Sequence, residues 1–162
     1  MAKKTKRIIN EPPENAPQMF AMAKSDISVA RDGKIHSDTL YETLCMLCQQ
    51  AIEKSLKALI IHNNIGYPAD HSIEELIDYI DEKKIALPYE IKESAIAFVT
   101  IEGGFSLPLR TPITFGNVVP LSEYAGNRRY SLSETPLTEQ DYKNVLARAE
   151  KIVHWVEQQI QK

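Results

Sequence analysis

Apolar side chains recur every three to four residues through most of this chain, the spacing that lays a single apolar face along an α-helix. Over residues 19–30, Phe20, Ala23, Ile27 and Ala30 keep that spacing and predict a first helix, ended by Gly33. Segment 40–63 carries the broadest stripe, with Leu44, Cys48, Ala51, Ser55, Ala58 and Leu59 widened by Tyr41, Cys45, Ile52 and Leu56. Such width belongs to a helix covered on several sides at the centre of a bundle. Its polar side is Gln49, Gln50, Glu53, Lys54 and Lys57, and Gly66-Tyr67-Pro68 marks the turn beyond it. Ile73, Leu76, Ile77 and Ile80 predict a short third helix. A fourth is expected over 89–102, after Pro88, with Ile91, Ala95, Phe98 and Ile101 inward and Gly103-Gly104 stopping it. The last begins near Thr138 and presents Val145, Ala149, Ile152, Val156 and Ile160 on one face.

Three helix starts carry a hydroxyl residue with an acidic residue three positions on, the capping-box pattern: Thr39 with Glu42, Ser72 with Glu75, and Thr138 with Asp141. Residues 103–122 break the periodicity. There Pro108, Pro112, Pro120 and Gly116 forbid a continuous helix, while Ile113, Thr114, Phe115, Val118 and Val119 favour extended chain. The expected fold is therefore all-α, an antiparallel four- to five-helix up-down bundle with an irregular insertion before the last helix, a candidate lid or partner-binding loop.

Composition narrows the class. With 43% hydrophobic and 25% charged residues in 162, the chain has the balance of one globular domain. Lys3, Lys4, Lys6 and Arg7, then Pro12, Pro13 and Pro17, mark residues 1–18 as a flexible basic and proline-rich arm, leaving 19–162 as the bundle. No apolar run is long enough to span a bilayer, and the basic start leads into polar 10–15 without an apolar signal core; no membrane association and a cytoplasmic location are expected. A net charge of −3 excludes a wholly basic nucleic-acid coat protein but leaves local basic patches open. Cys45-Met46-Leu47-Cys48 is formally C-x-x-C. It sits inside an apolar helix without a second pair, and His62 and His71 lack tight ligand spacing, so neither metal nor cofactor is expected.

Three stretches carry a family resemblance. Residues 48–59, Cys48-Gln49-Gln50-Ala51-Ile52-Glu53-Lys54-Ser55-Leu56-Lys57-Ala58-Leu59, resemble the QQAAEKALKAL helix of HEPN domains, a helical family associated with nucleotides and RNA in prokaryotes and eukaryotes. His71-Ser72-Ile73-Glu74-Glu75-Leu76 resembles its H-[DS]-[LI]-x-x-L, and Tyr124 with Arg128-Arg129-Tyr130 resembles its late aromatic and R-Y-P element. Ser131 stands where the family often has proline, and the 103–122 insertion precedes this third landmark.

The resemblance implies a site for nucleotide or RNA phosphate at Gln50, Lys54, Lys57, His71, Arg128, Arg129 and Tyr130. Lysines at three- and four-residue steps share a helix face, arginine forks match phosphate oxygens, and His71 stands just before a helix N-terminus, where it either meets an anion or fixes the loop. The alternative for the lysines is a Glu53–Lys57 pair on an otherwise solvated surface. Many HEPN proteins are metal-independent ribonucleases with an Arg-x4-6-His motif. Here Arg31 and His36 match in the first interhelical connection. Arg148 and His154 match on the last helix, but six positions on a regular helix put side chains about 120° apart. Residues 128–134 hold no histidine. The expectation is a non-catalytic phosphate-binding protein acting with a partner such as a nucleotidyltransferase, the alternatives being a toxin-type ribonuclease and a structural helical adaptor. A homodimer is expected too: HEPN domains commonly pair about a two-fold axis, and the apolar surface exceeds what one four-helix seam hides.

Overall fold

A computed structural model describes residues 7–69, 72–96, 100–101, 104–105 and 137–162. Among them are five helices: α1 (Ala16–Asp32), α2 (Tyr41–His62), α3 (Ile73–Glu82), α4 (Tyr89–Ile96) and α5 (Glu139–Ile160). Two short antiparallel strand pairs join them, β1 (Ile8–Ile9) with β2 (Tyr67–Pro68), and β3 (Thr100–Ile101) with β4 (Gly104–Phe105). The all-α bundle read from the periodicity is the fold observed.

Helix α2 is the axis of the molecule, touching α1, α5 and α3. Its apolar residues Leu44, Ile52, Leu56 and Ile60 are fully buried, and Ala23, Ala30 and Ala149 let neighbouring backbones approach closely. Each fully buried Leu or Ile contributes about 1.5–3 kcal/mol of burial energy. Polar contacts tie the outer helices together: Arg31 Nε meets Glu150 Oε1 at 2.6 Å and Lys24 Nζ meets Glu157 Oε1 at 2.8 Å, both between α1 and α5. The Tyr142 hydroxyl donates to Ala30 O at 2.5 Å, and its ring stacks on Tyr41 with centroids 5.6 Å apart.

Local sequence chemistry sets most of the helix starts. Ser72 Oγ accepts from Glu75 N at 3.2 Å, and Thr138 with Asp141 forms the full reciprocal box at 3.2 and 2.8 Å. The Thr39–Glu42 box does not form. Leu40 is the N-cap of α2 without a side-chain bond, and Glu42 instead accepts the Leu137 N–H at 2.9 Å.

Two further expectations are corrected. Helix α1 starts at Ala16 because Asn15 and Gln18 form a reciprocal capping box, at 2.9 and 3.0 Å, with Pro17 in the first turn. Residues 7–9 of the expected arm meet the body: Ile8 pairs with Pro68, Ile9 with Tyr67, and Ala69 N donates to Arg7 O at 2.8 Å, while residues 1–6, with Lys3, Lys4 and Lys6, lie outside the described residues. The helix expected to reach residue 102 ends at Ile96, since Thr100 pairs with Phe105 and Ile101 with Gly104. β-Branched residues flanking a glycine-bearing two-residue connection favour a hairpin over a continued helix. Phe98 and residues 106–136, which include most of the expected insertion, lie outside the described residues. No described helix is long and apolar enough to cross a membrane.

Candidate functional site

Gln50, Lys54 and Lys57 fall within about 60° of one another around α2, as their spacing requires. The three therefore share one side of the helix. Each lysine also has an acidic partner: Lys54 Nζ lies 2.5 Å from Asp26 Oδ2 on α1, and Lys57 Nζ lies 2.9 Å from Glu53 Oε1 one turn back. The lysine side chains are 27% and 12% exposed, so both ammonium groups are held in place rather than waving in solvent. Lys57 Nζ also stands 5.1 Å from the centre of the Tyr67 ring, a cation–π contact. The Glu53–Lys57 pair is the alternative that helix spacing had offered for this stripe.

Gln49, read from the sequence as part of the polar side of the helix and not as a site residue, extends the row. It is buried, its Nε2 donates to Glu53 Oε2 at 3.2 Å, and its Oε1 has no hydrogen-bond partner among the described residues. A glutamine in a run of polar residues gives no sequence signal for burial. Burial, then the carboxylates of Glu14 and Glu53, push the Tyr67 hydroxyl above its ordinary pKa. The row Gln49, Glu53, Lys57, Tyr67 is thus a semi-buried polar cluster between α2 and the β1–β2 pair.

The other expected contributors, His71, Arg128, Arg129 and Tyr130, lie outside the described residues. Of the two Arg-x4-6-His matches, Arg31 is engaged with Glu150 at the C-terminus of α1 and His36 is exposed in the connection to α2. Arg148 is half-buried on the α4-facing side of α5; burial lowers its pKa while Glu93 opposes the shift. Arg148 forms no ion pair among the described residues. His154 is exposed, with its Nε2 3.0 Å from Gln158 Nε2.

The cysteines are free and buried, as expected of core residues. Burial pushes the Cys48 thiol up to about 12 and the Cys45 thiol well above its usual value, so neither is a ready nucleophile. No cluster of three or more potential metal ligands occurs among the described residues. Tyr142 is buried in the core and Trp155 half-buried against it.

A central amphipathic helix clasped by two long neighbours, with a lysine-bearing polar face and two short helices packed at one side, defines a small helical-bundle domain. The HEPN domain profile matches residues 16–159, and the chain belongs to the HEPN family. The match begins at the first residue of α1. Among solved structures, an archaeal HEPN homologue is similar at 26% identity and a TM-score of 0.57, covering 91% of this chain and 98% of its own. A HEPN domain protein from Thermotoga maritima, at 18% identity and a TM-score of 0.57 over 90% and 98% of the two chains, shares the fold. Among curated proteins none gives a significant match.

Proposed function

We propose that this HEPN protein binds the phosphate of a nucleotide or RNA on the polar face of α2, without cleaving it, and acts as a homodimer beside a partner such as a nucleotidyltransferase. The observation that carries the reading is the pre-set pair Lys54 and Lys57, adjacent on one face and each fixed by neighbouring groups. An anion that exchanges for Asp26 or Glu53 meets ammonium groups already oriented, which reduces the ordering cost of binding. Arg128, Arg129, Tyr130 and His71 are the residues assigned to complete the contact.

A thermal scan with ATP and GTP tests this. A ligand at a hundred times its Kd stabilises the folded state by about 2.7 kcal/mol, which for a chain of this size raises Tm by about 5–10 °C. Lys54→Ala combined with Arg129→Ala removes the gain. No shift with either nucleotide at millimolar concentration would replace the binding module with a structural adaptor.

The second reading is metal-independent RNA cleavage, for which Arg148 and His154 match the family motif by spacing alone. Six residues separate the two by about 9 Å along the axis and 120° around it, so they diverge within one chain. Cleavage without metal that is lost in His154→Ala, with the fold intact, would decide for the ribonuclease. The same assay on His36→Ala checks the other match.

A further inference from the structure

Between Arg7 and Asn15 the chain runs from β1 to the cap of α1. Its grip on the body is narrow: two strand pairs and the Ala69 N to Arg7 O bond of 2.8 Å. A pairing of this length is marginal by itself, and ordering the backbone opposes each bond it makes. Yet the body is shaped to receive it. A Cβ at Gly66 would stand 2.5 Å from Ile9 O, 2.8 Å from Asn10 Oδ1 and 2.9 Å from Ile8 Cγ2. The nearest of these atoms is backbone and cannot swing aside. Gly66 has no positive φ, so the close approach of this segment, not a local turn, requires glycine there.

The segment lies on the polar cluster. Ile9 is the cross-strand partner of Tyr67, and opposed side chains stand on one side of a pair about 4.5–5.5 Å apart. Ile9 is half-buried against the core and Tyr67 is only 4% exposed. At the far end, the Glu14 carboxylate is near enough to the same phenol to add, with Glu53, to the rise in its pKa that burial begins. Lys57 Nζ sits over the Tyr67 ring, so the residue with which the strap pairs also contacts the ammonium group. The docked strap also brings Glu14 beside the cluster, where its charge repels an incoming anion.

We infer that residues 7–15 form a strap that opens and closes over Tyr67 and Lys57 and so gates the lysine face of α2. The gate's bearing on ligands rests on the phosphate-binding reading above; the change in access to the two side chains does not. An open form populated at about a tenth would make full opening worth about a tenfold gain in access.

Hydrogen exchange at the Ala69 amide reports the strap, and acetylation of Lys57 by an N-hydroxysuccinimide ester reports the face beneath it. In Gly66→Ala the amide is expected to lose protection and Lys57 to label about tenfold faster. Ile9→Ser, which removes the apolar anchor, gives the same result by a second route should Gly66→Ala fold poorly. A disulfide between Ile8→Cys and Pro68→Cys slows labelling below the unmodified protein, and the buried Cys45 and Cys48 do not compete for it. Unchanged Ala69 protection in both opening variants, or lost protection with unchanged Lys57 labelling, would overturn the gate. The ATP thermal shift, repeated on these variants, is expected to grow when the strap is open and shrink when it is locked. An equal shift in open and locked forms would overturn the gating of ligands. If no form binds ATP while Lys57 labelling follows the strap, the gate stands and the phosphate-binding reading fails.

Discussion

Replacing Glu42 with alanine removes the buried carboxylate that accepts the Leu137 N–H at 2.9 Å, just ahead of α5. Glu42 is 7% exposed and Leu137 6%, so water does not readily replace the lost acceptor. A hydrogen bond to a charged group is worth about 1.5–3 kcal/mol, and an orphaned buried donor costs a similar amount, which is the same loss seen from the other side. Against this, alanine recovers part of the cost of burying a carboxylate. The expected net loss is about 2 kcal/mol, or about 4–8 °C in Tm for a chain of this length.

Urea unfolding of three variants separates the causes. Glu42→Gln keeps an acceptor oxygen but exchanges a charge-assisted bond for a neutral one of about half the strength, so it loses about 1 kcal/mol. Thr39→Ala is expected to cost little, because Leu40 caps α2 without a side-chain bond. Were Glu42 instead a capping-box partner of Thr39, Thr39→Ala would cost about 1 kcal/mol. Equal stabilities for Glu42→Ala and the unmodified chain would refute the bond's contribution.

Two other outcomes follow from the charges and the core. A double-mutant cycle on Lys54 and Asp26 is expected to give a coupling of about 0.5–1 kcal/mol, at the upper end for an ion pair that is not fully buried; zero coupling would mean that the pair adds nothing to the fold. Stability is expected to fall above about pH 9, because the Cys48 thiol rises from its ordinary 9.0 to about 12 in the folded chain and Tyr67, Tyr79 and Tyr142 rise above 10.0. Groups whose folded pKa is raised contribute stability that is complete below the unfolded pKa and lost as pH rises through the folded one. Cys48 alone gives a slope of about 1.4 kcal/mol per pH unit in that window. Urea midpoints at pH 8, 9 and 10 that stay level would contradict the burial of these groups, and Cys48→Ala should flatten the decline.

Long periodic segments were legible because the pattern and the packing obey one geometry. The apolar stripes of α2 and α5 can face only inward, and the Ser72 and Thr138 caps are satisfied within three residues of themselves. The misses share a cause: a short-range signal was captured by a distant group. Glu42 has the spacing of a cap partner, yet the N–H it binds belongs to Leu137, 95 residues away. Strand β1 pairs only two residues, too few for any period to register, and its partner lies beyond two helices. Phe98 and Ile101 fit a helix by spacing, but Ile101 belongs to β3. At the site, the Glu53–Lys57 pair was readable because it is one helical turn long. Asp26, which holds Lys54, stands 28 residues earlier and could not be assigned from spacing.

If the lysine face binds phosphate as proposed, that hidden pairing bears on what it would select. A ligand reaching Lys54 or Lys57 displaces Asp26 or Glu53, so it gains only the difference between two ion pairs. A carboxylate ligand gains almost nothing by such an exchange, since it replaces like with like. A phosphate carries more charge and three acceptor oxygens, so on the proposed reading it would gain more from the exchange while the freed carboxylate returns to water or to another donor. Glu53 retains Gln49 as a donor when Lys57 turns away, which lowers the cost of releasing that lysine. On the proposed phosphate-binding reading, the paired carboxylates would act as a threshold, favouring multivalent phosphate over singly charged anions. On the same reading they would keep affinity from α2 alone weak, so tight binding would need cations from elsewhere, the role proposed for Arg128 and Arg129.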